Sequence, residues 1–204
     1  MTLEPRFTED VSELPNDIFG PGSLTWWGTM GFMIIEGTAF ALTFAAYFFL
    51  MAQEQQWAPD PWKSPDLIAG TLFTIVMLLS EIPNTMIKKA AEACDSERVR
   101  KLLPIPVAIG LLLFVIRAFE FPSLNVSWWE NAYGSIMWAL LLLHTTHILT
   151  DWVDTVVLAA LSRTPLIYDK RKLIDVAENS MYWRFVWLTW LPIYVMIYWL
   201  PRWL

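Results

Sequence analysis

With 56% apolar side chains among 204 residues, and 13 Trp, 12 Phe and 6 Tyr, the chain is too apolar and too aromatic for an ordinary water-soluble domain. Its net charge of −6 is unevenly spread: Glu4, Glu9, Asp10, Glu13 and Asp17 crowd the start, and the bases gather in two short stretches, so no basic face suits a nucleic acid. A single cysteine, Cys94, excludes an internal disulfide and any cysteine-based metal site.

Residues 1–22 are rich in acids and proline and read as an extended or partly disordered tail. They lack a basic segment followed by a short apolar core, so no cleaved signal peptide is expected, and the first span serves as its own insertion signal. Five apolar stretches follow, at about 26–51, 67–88, 103–121, 133–161 and 181–201. A hydrocarbon core of about 30 Å needs about 20 such residues per helix. The fold class is therefore all-α: one polytopic membrane bundle, residues 23–204, of five transmembrane helices.

The connections set the orientation. Lys88, Lys89, Arg98, Arg100 and Lys101 follow the second span, and Arg163, Lys170, Arg171 and Lys172 follow the fourth. The first outer loop carries only Lys63, and Ser123–Asn131 carries no base. Basic loops stay on the cytoplasmic side, which puts the N-terminus in the cytoplasm and the C-terminus outside. Trp26, Trp27, Trp57, Trp62, Trp128, Trp129, Trp199 and Trp203 flank the spans and read as anchors at headgroup depth. Pro59, Pro61 and Pro65 keep 52–65 from being helical, whereas Pro104 and Pro106 suit the first turns of the third span. Pro83 and Pro192 fall inside spans, where they kink the helix unless neighbours satisfy the freed carbonyls. Residues 90–99 are charged and predict a short solvated helical turn containing a free Cys94. Gly28, Gly31, Gly37, Ala41 and Ala45 in the first span predict a close helix–helix approach.

Ionisable residues within spans are costly and mark candidate sites. Glu36 lies about ten residues into the first span, roughly 15 Å from its start and near mid-membrane. His144 and His147, spaced i, i+3, share a helix face that continues through Asp151 and Asp154. Two imidazoles and a carboxylate are possible metal ligands, but these are the only two histidines. An interhelical polar network involving Glu36 is the better reading, with no metal and no catalytic residue assigned. Arg117 and Glu120, also i, i+3, predict an ion pair or snorkelling at the outer interface, and Glu81 lies near the cytoplasmic end of the second span. Arg184 opens the last span, where it reaches the headgroups or holds a lipid phosphate.

Several of these segments resemble subunit III of the heme–copper respiratory oxidases, in its short five-helix form. Residues 33–49, with Glu36 ahead of a Phe-rich run, resemble the family's helix with a membrane-buried carboxylate. Arg117-Ala-Phe-Glu-Phe121, then Tyr133-Gly-Ser with His144-x-x-His147, then Tyr182-Trp-Arg-Phe-Val186 follow in family order. In the last motif Arg184 stands where the family usually has His, and Trp187 where it has Asp. The resemblance implies a non-catalytic subunit of a cytochrome c or quinol oxidase, multi-pass in a bacterial inner membrane. It would pack on the heme- and copper-bearing subunit I, with subunit II nearby, and have no cofactor of its own beyond structural phospholipid. Its implied role is lipid binding, proton uptake and stability of the catalytic subunit. Glu36 is then the proton-linked carboxylate. His144, His147, Asp151, Glu120 and Arg117 form the polar network, and Arg184 and Trp183 are the lipid contacts. Other readings are the equivalent subunit of a nitric-oxide reductase-like complex, a small metalloprotein using His144 and His147, or a transporter. The last lacks paired broken helices.

Overall fold

The computed structural model describes residues 17–203, so Glu4, Glu9, Asp10 and Glu13 lie outside the described residues. Five long helices dominate: α1 (Leu24–Met51), α2 (Leu67–Glu92), α4 (Pro104–Glu120), α5 (Ala132–Leu161) and α6 (Lys170–Tyr194). A short α3 (Ser96–Leu102) leads directly into α4, and α6 continues through a π-helical turn, Val195–Trp199, into α7 (Leu200–Trp203). Among the described residues there is no strand.

Local chemistry sets the helix starts. Ser23, Asp95, Asn131 and Asp169 cap α1, α3, α5 and α6 by accepting from backbone N–H groups of the first turn. Pro104 opens α4, where its missing N–H leaves no bond unmade. α2 ends in a left-handed residue, Cys94 (φ 55°), with Asp95 N–H bonded to the Ala90 carbonyl. Cys94 is exposed and free, as the sequence suggested. The segment after it is helical but not wholly solvated, because Ser96 and Val99 are buried. Pro192 lies two residues before the last residue of α6, and the wider π turn follows at Val195.

Helix α6 lies at the centre and packs against α2, α5 and α1, while α4 bridges α2 and α5. The main apolar core joins Phe40, Phe73, Met137, Leu140, Val186 and Trp190, and a smaller one gathers Ile87, Val99, Leu103, Leu158 and Leu173 at the basic end. Large apolar side chains elsewhere face outward along the helices, as they do in a bundle surrounded by lipid. Leu24–Met51, Leu67–Glu92, Ser96–Glu120 and Ala132–Leu161 are long and apolar enough to cross a membrane. α6 falls short of that measure because it carries Glu178 and Arg184 and its apolar half is rich in Trp and Tyr. The protein is an all-helical membrane bundle.

Two local expectations change. Trp57 is not an interface anchor but a plug in the core, where its indole N–H donates to Tyr47 Oη at 2.6 Å. Tyr47 in turn donates to the Met196 carbonyl at 2.6 Å. The small-residue face of α1 makes no close approach within the chain, since only Gly37 meets a neighbour, Phe185 at an ordinary 3.7 Å. A Cβ at Gly28 or Gly31 would meet nothing within 4 Å. The close approaches are at Gly70, Gly110 and Gly134, where a Cβ would overlap Tyr198, Trp152 and the Ser127 carbonyl.

Candidate functional site

The ionisable residues of the spans form three groups, apart from the Glu81–Arg184 pair. The first centres on Arg117, which is 2% exposed, and Glu120, which is fully buried. One helical turn separates them on α4, and Arg117 Nη1 donates to Glu120 Oε2 at 2.7 Å. The pair does not snorkel at the interface; it is enclosed by α2, α5 and α6. Tyr198 Oη donates to Glu120 Oε1 at 2.6 Å, and the guanidinium carbon lies 3.8 Å from the Phe73 ring centroid and 4.6 Å from that of Trp190. Aromatic faces and a hydroxyl thus replace the water these charges lose.

His144 belongs to this group. Its Nδ1 accepts from Arg117 Nη2 at 3.0 Å, because a guanidinium can only donate. Its Nε2 lies 3.0 Å from the Val186 carbonyl, which can only accept, so Nε2 carries the hydrogen. The imidazole is therefore the neutral Nε2–H tautomer, and its one lone pair is engaged by Arg117. Trp190 stacks on it with ring centroids 4.9 Å apart.

The second group links α1, α5 and α6 at mid-bundle. Tyr182 Oη donates to Glu36 Oε2 at 2.6 Å, and His147 Nε2 lies 3.4 Å from Glu36 Oε1. His147 Nδ1 donates to the Leu143 carbonyl at 2.6 Å, which fixes a hydrogen there. Nε2 and the carboxylate oxygen then attract only when a further proton lies on one of them. Glu36 and His147 thus face each other as an acid–imidazole pair, backed by Phe40 with its ring 4.7 Å from the imidazole. Removing one of its bonds with Tyr182→Phe is expected to lower stability by about 1 kcal/mol, read as a modest fall in melting temperature in detergent.

In the third group, Asn179 donates to Asp151 Oδ1 at 3.3 Å and to Asp154 Oδ2 at 3.1 Å, and accepts from Thr155 at 3.2 Å. The one stripe expected from His144, His147 and Asp151 is thus divided three ways. His144 meets α4 and α6, His147 meets α1 and Asp151 meets α6, so only His147 reaches Glu36. Trp183 is buried, its N–H donating to Ser80 Oγ at 2.8 Å. Arg184 pairs with Glu81 of α2 and also contacts Thr85, yet 43% of its side chain stays exposed. Among the described residues no three His, Cys, Asp or Glu side chains are grouped to hold a metal ion.

Tyr182, Tyr198 and Asn179 complete these groups and were not singled out in the sequence. Being neutral, they stand out little in an aromatic-rich helix. The available signal was that a buried carboxylate must find donors, and tyrosines on a neighbouring span are the commonest suitable source.

A profile of the family described as "Cytochrome c oxidase subunit III" matches residues 23–202. The chain is similar to the cytochrome c oxidase subunit 3 of Thermostichus vulcanus, with 25% identity across 86% of this chain and 87% of that protein. It is also similar to that of Synechocystis sp., with 21% identity across 97% and 89% respectively. A probable cytochrome c oxidase subunit 3 of Mycobacterium tuberculosis is 26% identical across 84% of this chain and 85% of its own length.

Proposed function

The chain belongs to the cytochrome c oxidase subunit III family, and from that premise we propose that it is a non-catalytic subunit of a terminal oxidase in a bacterial inner membrane. It packs against the heme- and copper-bearing subunit I, with subunit II a further neighbour, and adds no redox centre of its own. The observation that carries this reading is the family match across nearly all of the folded chain, residues 23–202.

The internal chemistry supports a structural and proton-linked role. Both nitrogens of His144 are engaged by protein groups, which argues against a metalloprotein built on the two histidines. Glu36 and His147, with Tyr182, offer one partly buried proton-exchange site suited to supporting proton uptake by a neighbouring subunit. Phospholipid is the expected non-protein component. Arg184 is the proposed headgroup contact, partly exposed while held by Glu81, whereas Trp183, expected beside it as a lipid contact, is buried against Ser80.

Purification through a tag on this chain in mild detergent is expected to bring down a heme-bearing subunit. Glu36→Ala should leave the heme spectrum of that complex unchanged while lowering its stability or its rate of proton uptake. Heme bound by the chain alone, or no heme-bearing partner, contradicts the proposal.

A further inference from the structure

Four helices meet around a largely enclosed cavity of about 20 Å³. Its wall includes Ser80 and Asn84 of α2, Gly110 of α4, Asp151 and Thr155 of α5 and Asn179 of α6. One water molecule needs about 10–15 Å³, so the space admits a single water and no larger molecule.

The polar atoms on this wall are unevenly satisfied. Asn84 is 6% exposed, and its side-chain amide lies 2.9 Å from Glu81 Oε2 and 3.0 Å from the Ser180 carbonyl. A carbonyl only accepts, and so does a carboxylate paired with Arg184, so the atom between them is Nδ2 and Oδ1 is left over. Asp151 is 3% exposed and accepts from Asn179 through Oδ1 at 3.3 Å. Asp151 Oδ2 and Asn84 Oδ1 take part in no hydrogen bond among the described residues. Neither is sealed in, because the fully enclosed unpartnered atoms belong to Arg117, Asn131, Tyr133, Glu178 and Trp187. Asn84 borders this cavity, and Asp151 borders both it and the open groove between α1, α5 and α6. The side-chain donors nearby are engaged: Ser80 by the Met77 carbonyl, Thr155 by Asn179, and Asn179 by Asp151 and Asp154. Two buried acceptors are left, and their occupant must bring two donors.

We infer that one buried water fills this cavity and donates to Asn84 Oδ1 and Asp151 Oδ2. Water suits Asp151 in either form, donating to a carboxylate or accepting from a carboxylic acid. A hard metal cation takes about six oxygen ligands, and this wall leaves two. The water reaches the cavity past Asp151 from the open groove. It also joins two groups that are otherwise separate. Arg184 and Asn84 donate to Glu81, the water links Asn84 to Asp151, and Asn179 links Asp151 to Asp154. The result is one hydrogen-bonded ladder across the bundle, tying α2 to α5, which otherwise meet through α4 and α6. This assignment is independent of the lipid and proton roles proposed above.

The test is X-ray hydroxyl-radical footprinting of the full chain purified with its accompanying subunits. Radicals formed at a bound water mark the side chains beside it even where bulk solvent has no access. Trp183 and Ile87, which line the cavity, should be oxidised several-fold more than the matched buried residues Trp190 and Ile193, which do not. Equal labelling of the two sets overturns the water. Xenon found in the cavity of the pressurised complex also overturns it, since xenon enters dry apolar cavities. A melting temperature that rises when sodium chloride replaces choline chloride at equal ionic strength replaces the water with a cation. Bridging is read separately by thermal unfolding of Asn84→Ala, Asp151→Ala and the double variant. The two side chains share no direct hydrogen bond, yet their losses are expected to be less than additive. Fully additive losses overturn the bridge.

Discussion

Arg117→Met is expected to destabilise the bundle by about 3–5 kcal/mol, because it leaves the Glu120 carboxylate buried with Tyr198 as its only side-chain donor. The same change removes the donor to His144 Nδ1 and the cation between Phe73 and Trp190. Thermal unfolding in detergent measures it, and the yield of assembled complex should fall in parallel. The double variant Arg117→Met with Glu120→Gln is expected to recover most of the loss, since it removes both charges together. A double variant no better than the single one would mean that shape, not charge, governs this part of the core.

Gly70→Ala is the second large effect, at about 1–3 kcal/mol. The new methyl would overlap the Tyr198 ring, and that ring cannot easily move aside because its hydroxyl is bonded to Glu120 at 2.6 Å. Gly31→Ala on α1 is the matched control. Nothing lies within 4 Å of its Cβ position, and alanine is the better helix former by about 1 kcal/mol, so this variant should be neutral or slightly stabilising. Comparing the two melting temperatures in one detergent separates crowding from the intrinsic cost of glycine in a helix.

The helices were legible because lipid demands long apolar runs. The last helix reaches well beyond the apolar span expected at 181–201. α6 begins at Lys170, well before its apolar half, since Lys170–Ser180 is polar but packs Leu173, Ile174, Val176 and Ala177 against its neighbours. Which groups were placed inside was legible from charge alone, but their partners were not. His144 and His147 are one turn apart, and a difference of about 60° around the helix is enough to send one to α4 and the other to α1. The glycines misled for a related reason. Periodic small residues on α1 suggested a seam, whereas the real contacts are at isolated glycines, each opposite one large ring or a carbonyl. Such complementarity needs the partner's identity, which spacing within a single helix does not contain.

Helix α1 buries only Phe40 and Tyr47 in full. Its fastenings lie at its midpoint, through Glu36 with Tyr182 and His147, and near its outer end, through Tyr47. Below Phe32, whose ring stacks on Tyr182 at 5.9 Å, Thr25, Gly28 and Thr29 border open space. Mechanically this is a beam clamped over its upper length and bordered by open space along one side of its first two turns, with Trp26 beside Met181 on another. Whatever wedges into that gap stiffens the beam.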